Sequence, residues 1–588
     1  MILQELVRYY DRLADDPDAV LPALGYSSQT ICFAVVLNAK GEAVNTISLM
    51  REENGRQVPG TLVVPEPPSS KSGTKKVACF AWDNTGYALG LATPKDKSAK
   101  DMAEEARISR GLTECSEKFK VFRELQHAVG DDVDDEGMKA LLAFVDSWQP
   151  LIAPQLPNWA SMDGQKIVFM LEGENRFLHQ RPKVREAWLR HCQSKVAEFE
   201  GMCLVTGEAG PISRIHPKLK GVAGAQSTGA TLVSFNIESS ESYGKTQNYN
   251  SPIGEASAFK YTTALNYLLD RGNRRKSRIG DVTMVFWTER ASPFEDFFGN
   301  LVDPSGEQEA DVAQVREFFE GVRAGRFPSQ IDPEVGFCIL GLSPNVSRLS
   351  VRLWLTGSVG SIAKCLCSHF DDLSIVRRFD SDPEFPTLGQ LLRETAAQKK
   401  YDNIPPLLEG QMLRAILGGG NYPLTLMTSL IVRIRADHEV NYLRAAMIKA
   451  WITRRRRLSA LEHTEVGMAL DSNSVDVGYR LGRLFAVLEK AQADAINSAN
   501  ATIRDRFFAS ASATPQAVFP QLLRLAQHHI AKSDFGTRLD KLIEQVSADI
   551  PSFPAHLSLE EQGLFMLGYY HQRQDLWKAK SDKKEEEK

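Results

Sequence analysis

Within eight consecutive positions the sequence sets two aromatic rings, one cation and three carboxamides: Tyr243, Gly244, Lys245, Thr246, Gln247, Asn248, Tyr249 and Asn250. Lys245 supplies a point charge for a phosphate, and Gln247, Asn248 and Asn250 carry the paired donors and acceptors that read base edges. Tyr243 and Tyr249 can stack on a base or wedge between two. The triplet Gly244-Lys245-Thr246 suggests a nucleoside triphosphate site, but the phosphate-cradling loop needs a glycine five positions before Gly244, where Ser239 stands. The competing reading is a polar turn whose side chains bond their own backbone.

The flanks favour a polyanion. Upstream, His216-Pro217-Lys218-Leu219-Lys220-Gly221 leads into Gly224-Ala225-Gln226-Ser227-Thr228-Gly229; downstream come Arg271, Arg274, Arg275, Lys276 and Arg278. Glycines admit close backbone approach, hydroxyls and amides bond phosphate oxygens, and cations displace counterions. Lys218, Lys220, Gln226, Ser227, Thr228, Arg274 and Arg275 are therefore candidate backbone contacts. A second candidate loop, Lys71, Ser72, Gly73, Lys75 and Lys76, ends a run rich in Pro and Ser at 65–76. Arg454 to Arg457 end a helical pattern, where cations complement the helix dipole; four in succession exceed that need, so Arg454 and Arg455 join the backbone candidates.

Other chemistry finds less support. Asp131, Asp132, Asp134, Asp135 and Glu136 lack a His or Lys at motif spacing and read as a solvated loop. Cys365 and Cys367, followed by His369, lack a second ligand pair at zinc spacing, so no metal is expected. No protease, nucleotide-binding, serine-elbow or helicase motif occurs, and no cofactor is implied. The expectation is a binding protein and not an enzyme.

The elements that must position these residues follow from periodicity. Residues 232–235 read as a strand into the polar loop, with Ser251 as N-cap and Pro252 as first residue of the helix that follows, whose Tyr261, Ala264, Leu265 and Leu268 share a face. Earlier, 31–37 and 44–49 read as a hairpin turning at Asn38-Ala39-Lys40-Gly41, and 61–64, 77–82, 167–171 and 203–206 as further strands. Strands 282–287, 337–342 and 349–355 follow, the last placing Arg348 and Arg352 opposite Leu349, Val351 and Leu353. From Ile362 onward helix follows helix. The expected class is α+β: a mixed region with mainly antiparallel sheets over 1–360, a helical linker domain over 361–467, and a helical bundle over 468–588 with a disordered tail at 578–588.

A chain of 588 residues with 43% hydrophobic and 24% charged side chains is ordinary globular material, and its net charge of −4 excludes a uniformly cationic coat. Nucleic-acid binding must then come from local patches. The first residues lack a secretory layout, no apolar run reaches membrane-spanning length, and eight scattered cysteines suit a reducing compartment, so a cytoplasmic protein is expected.

The runs HPKLKGVAGAQSTGATLVSFN and SYGKTQNYNSPIGEASAFKYTTALNYLL, with NTGYALGL, FCILGLSPNVSRLSVRLW and GYRLGRLFAVLEKAQADA in order around them, resemble the large subunit of the type I-C CRISPR Cascade complex, a Csd-type CRISPR-associated protein. The resemblance implies a role in antiviral defence: recognising a short motif (the PAM) in double-stranded DNA, promoting duplex opening and R-loop formation with guide RNA, and supporting recruitment of a helicase-nuclease. It implies as partners the guide RNA complex, target DNA, and the Cascade backbone and small subunits, with no membrane. It also implies that Met468 is an internal translation start for a small subunit. The alternative is a stand-alone RNA-binding or guide-RNA-processing factor.

Overall fold

The computed structural model describes residues 1–588 except 18, 20, 54, 69–75, 97–101, 194–198, 271, 303–311, 460–465, 497–500, 534, 549 and 587–588. Contacts divide the chain into two units, Met1–Lys220 with Thr228–Tyr267, and Gly221–Ser227 with Leu268–Lys588. The divisions expected at 360/361 and 467/468 fall inside the second unit.

The first unit opens with helix α1 (Ile2–Ala14), which buries Leu6, Val7, Tyr9 and Leu13 at helical spacing. Strands β1 (Tyr26–Ile31), β2 (Phe33–Leu37), β3 (Ala43–Ser48), β4 (Met50–Glu53), β5 (Arg56–Pro65) and β6 (Trp82–Asn84) follow. The β2–β3 hairpin turns where expected, because Asn38 Oδ1 accepts from Lys40 N and Glu42 N and Gly41 takes φ +84°. Next come α2 (Thr85–Ala88), α3 (Glu104–Gly130), α4 (Glu136–Ser147), α5 (Trp159–Met162), β7 (Lys166–Leu171), α6 (Pro182–Gln193), β8 (Glu200–Met202), β9 (Ala209–Pro211) and α7 (Glu255–Leu268).

One sheet runs β3-β2-β7-β6, with β2 and β7 parallel, and a second runs β1-β5-β4. Period-two alternation sends Ala34 and Val168 to one side, against Ile31, Val64 and Trp82. Phe33, Val35, Ile167 and Phe169 go to the other, against Phe122, Met138, Leu141 and Phe144 of α3 and α4.

Among the expected strands, 77–82, 203–206 and 232–235 do not form as read, the first two for tertiary reasons. Residues 77–81 do not pair with a strand; Cys79 N donates to Asp83 Oδ2 and Ala81 N to Gln126 Oε1, and Ala81 takes φ +57°. Residues 203–206 form a turn closed by Cys203 N to Glu208 O and Gly207 N to Cys203 O, and the strand lies just before it as β8.

In the second unit β10 (Lys276–Ile279), β11 (Val282–Thr288), β12 (Gly336–Asn345) and β13 (Arg348–Ser358) form an antiparallel meander in sequence order, with α8 (Phe294–Val302) and α9 (Val312–Arg323) inserted between β11 and β12. A bulge between Gly341 and Leu342 passes over Arg352, so Leu349 and Leu353 are buried while Val351 is exposed; the strict alternation read from the sequence breaks there. Helices complete the chain: α10 (Val359–Leu373), α11 (Leu388–Arg393), α12 (Leu408–Gly418), α13 (Leu424–Asp437), α14 (Tyr442–Leu458), α15 (Val477–Ala495), α16 (Ile503–Ala511), α17 (Pro515–Ile530), α18 (Gly536–Ala548) and α19 (Leu559–Glu586). The last runs on from Lys578 to Glu586, residues that the sequence leaves without structure. The protein is α+β, with sheets first and helices after.

Helix α15 is the axis of this unit, buried at every residue from Gly478 to Ala491. It lies so close to α19 that a Cβ at Gly482 would sit 1.9 Å from Phe565 O, and one at Gly568 2.0 Å from Tyr479 O. The glycines let the two backbones touch. Gly482→Ala is expected to force the pair apart at a cost of about 1–3 kcal/mol or more, as overpacking does, lowering the melting temperature by several degrees; an unchanged calorimetric melt contradicts this packing.

Candidate nucleic-acid interface

The loop at 239–251 is built around a tight turn. Tyr243 and Gly244 take φ +51° and +68°, Ser242 bridges Lys245, and Lys245 N donates to Ser242 O at 3.0 Å. Two successive positive φ values define the turn class that matches hairpin twist. Tyr243, a bulky residue that avoids this conformation, is 98% exposed at its apex. Gly244, Lys245 and Thr246 are exposed beside it, and Lys245 has no ion pair among the described residues.

What holds the turn is Asn250. Its Oδ1 accepts from Ser242 N at 2.9 Å, and its Nδ2 donates to Lys245 O and Gln247 O, each at 2.8 Å. Glu241 Oε1 accepts from Gln247 N at 3.0 Å, which fixes Gln247 at φ +48°. Asn248 is buried; its N donates to Arg214 O and its Oδ1 accepts from Phe235 N at 3.2 Å. Tyr249 packs on Phe199 with ring centroids 4.8 Å apart. Asn248, Tyr249 and Asn250 thus form the base of the loop, while Tyr243 and Lys245 form its tip. Gln247 lies between, its Oε1 enclosed with no hydrogen-bond partner among the described residues.

Helix α7 anchors this loop and the segment before it. Residues 232–235 form no strand, and α7 begins at Glu255 instead of Pro252. The delay has a cause: Pro252 O and Ile253 O accept from Leu204 N and Ser213 N, and Gly254 bridges Ile212, so 252–254 are extended. Burial raises the Cys203 thiol, but N–H donors from Gly254 and Val205 and the Ser257 hydroxyl outweigh it and bring it down to about 7. Farther along α7, Tyr261 Oη meets His216 Nδ1 at 2.7 Å, both buried. Asn266 clasps the chain on either side of Leu219, accepting from Lys220 N at 2.9 Å and donating to Lys218 O at 3.1 Å. Leu219 is buried, and Lys218 and Lys220 are exposed on either side of it. Nothing in the spacing singled out Asn266, the one carboxamide of α7.

The remaining candidates are distributed as follows. Thr228 is exposed in the first unit; Gln226 and Ser227 are exposed in the second. Arg274 is exposed, whereas Arg275 Nε pairs with buried Glu295 at 2.6 Å. Lys76 is exposed, and Lys71, Ser72, Gly73 and Lys75 lie outside the described residues. Arg454 corrects the sequence reading. It is 0% exposed, paired with Asp372 at 2.8 Å and held over the Tyr422 ring at 4.2 Å, and cannot meet a nucleic acid. Arg457 pairs with the same Asp372, Arg456 with Glu560 and Asp476, and half-exposed Arg455 lies over Trp451. This run ties α14 to the end of α10, to α19 and to the residue before α15.

The acidic run is likewise engaged: Asp135 caps α4 and pairs with Arg181, Asp134 with Lys139, and Asp131 with His127. His369 is enclosed against Tyr422 Oη at 2.6 Å. Among the described residues no three His, Cys, Asp or Glu are grouped to hold a metal ion. No disulfide joins any of the eight cysteines, and no described helix is long and apolar enough to cross a membrane.

The sequence profile of CRISPR-associated protein (Cas_Csd1) matches residues 6–577. The chain belongs to that CRISPR-associated family. No curated protein matches it. The loop, α7 and the 216–220 segment all lie within the matched span of this family member.

Asn250→Ala leaves three backbone groups of the turn without their partner, each worth about 0.5–1.5 kcal/mol. Faster hydrogen exchange at Lys245 and faster proteolysis at the tip are expected, with the global melt nearly unchanged. Unaltered exchange at the tip would show that the turn stands without the clasp.

Proposed function

We propose that this chain is the large subunit of a type I-C Cascade-type surveillance complex, and that the tip of the 239–251 loop reads the short duplex motif beside the target. In RNA-guided recognition base pairing reads the target, while protein reads a short motif and helps to open the duplex. Here Lys245 is assigned to a backbone phosphate, Tyr243 to the wedge at the first opened step, and Gln247, through its Nε2 donor, to a base edge. Lys76 and the preceding basic loop are assigned to the same duplex. The observation that carries this reading is the tip itself, an aromatic ring and a lysine held clear of the surface by a base of internal amide bonds. Family membership over nearly the whole chain supports it. The chain breaks no bond in this reading. It acts in the cytoplasm with guide RNA and the backbone and small subunits, and its helical region supports the displaced strand and the helicase-nuclease.

Stacking of one ring on a base is worth about 1–3 kcal/mol. Tyr243→Ala is accordingly expected to weaken binding to motif-bearing duplex roughly 5- to 150-fold, and Lys245→Ala to add to the loss, while both variants still assemble with guide RNA. Equal binding by the wild type and both variants in a filter assay rules the tip out as the reader.

Met468 is 58% exposed, and its carbonyl accepts from Val376 N at 2.8 Å. Met468→Leu preserves volume and that bond, so the long chain is expected to keep its melt while a co-purifying polypeptide of residues 468–588 disappears. Persistence of that polypeptide excludes Met468 as an internal start.

A further inference from the structure

Glu409, the second residue of α12, answers to no motif and takes no part in the candidate interface. Its carboxyl lies directly on the turn between β10 and β11. A Cβ at Gly280, which takes φ +58°, would sit 1.9 Å from Glu409 Oε2 and 2.2 Å from Oε1, so a glycine is what leaves room for the carboxyl. Glu409 is 9% exposed, and its Oε1 is enclosed with no hydrogen-bond partner among the described residues. The next residue of the turn, exposed Asp281, brings a second carboxylate to act on it.

The cations nearby are engaged with other groups or face water. Arg278 is exposed and directs Nε to Gly280 O at 3.0 Å. On α12 itself Arg414 donates to Arg352 O, and on β13 Arg352 Nε donates to Ser343 Oγ. From α14, Arg454 is held by Asp372 and Ala415 O, and Lys364 of α10 is exposed. An ionised Glu409 is thus enclosed beside a second carboxylate without a paired counter-charge, a cost that the carboxyl avoids by keeping its proton. Burial first and Asp281 second raise it; the Asp281 N–H and Arg278 oppose them only in part, and it stands at about 7.

The turn held in this way is a weak point of the sheet. Strand β10 has four residues, lies at the sheet edge, and pairs with β11 up to Ile279 and Val282 on either side of Gly280 and Asp281. A short edge strand of this kind opens locally far more readily than the core unfolds.

We propose that Glu409 is a proton-operated latch between α12 and the β10–β11 turn. Neutral, its carboxyl seats on Gly280 with its proton available to the Asp281 carboxylate, and the turn is closed. On releasing that proton to water it withdraws toward solvent and frees the turn. The folded chain holds a proton that the unfolded chain releases in the ordinary glutamate range. The stability it contributes is therefore fully present below that range and is lost as pH rises through about 7. The latch stands apart from the nucleic-acid reading and holds or fails without it.

The test follows amide hydrogen exchange of the full chain at pH 6 and pH 8, corrected for the intrinsic pH dependence of exchange and read in peptides covering 276–288 and 405–418. Cys203, also brought to about 7, belongs to the first unit and lies in neither peptide. A carboxyl that titrates at about 7 when seated and in the ordinary glutamate range when free gives about tenfold more protection of the turn at pH 6 than at pH 8. Glu409→Gln keeps the volume without the charge and is expected to hold the wild-type pH 6 protection at both pH values. Asp281→Asn removes the neighbouring charge at an exposed position and is expected to move the step to lower pH. Equal corrected protection of the wild type at pH 6 and pH 8 overturns the latch. So does a wild-type pH step that survives in Glu409→Gln, or turn protection in that variant below wild type at both pH values. Where that variant does not fold, a step left unmoved by Asp281→Asn overturns it.

Discussion

A single carboxamide sets the geometry on which the candidate site depends. Asn250 satisfies Ser242 N, Lys245 O and Gln247 O at once, and closes a turn whose apex would otherwise resist a tyrosine at positive φ. Left-handed backbone at a non-glycine residue costs of order 1–3 kcal/mol and persists where surrounding bonds determine it. The result is a side chain, Tyr243, with almost no contact to its own protein and little backbone freedom to lose. A ring presented in that way binds with a smaller entropic penalty than one on a slack loop.

The clasp would be of no use on a mobile base, and α7 provides a fixed one. Its start is pinned by extended residues 252–254 and by N–H groups converging on Cys203; its middle holds His216 through Tyr261, and its last turn holds the 218–220 backbone through Asn266. Loop tip and lysine segment are thereby referred to one rigid element within the first unit. The second unit solves a different problem. There the helices close around α15, where glycines bring backbones into contact, and its buried arginines bind helix ends to carboxylates.

Much of this was legible before any coordinates. Helices α13, α14, α15, α17, α18 and α19 follow from helical patterning, and the β2–β3 hairpin from its Asn-to-Gly turn, because in both cases local sequence and final structure agree. Where tertiary partners intervene, reading failed. Residues 77–81 have strand composition, but Asp83 and Gln126 take their N–H groups; Ser251-Pro252 looks like a helix start, but the carbonyls of 252 and 253 are paired elsewhere. Arg352 shows what an inserted residue does to a period-two argument.

The site was legible in part for the same reason. The sequence singled out the 239–251 segment but could not separate amides that face outward from amides that close the loop, since an Asn that bonds its own backbone and one that bonds a base are the same residue. Arg454 illustrates the converse: a cation in a basic run whose partner, Asp372, lies 82 positions away and leaves no local trace. The claim that matters most is that the apex of the 239–251 turn touches the duplex. A photo-reactive benzoylphenylalanine placed at Tyr243 in the assembled complex tests it directly. Crosslinks to the base pairs beside the motif, absent on a duplex lacking it, are predicted; crosslinks confined to protein, or equal on both duplexes, contradict it.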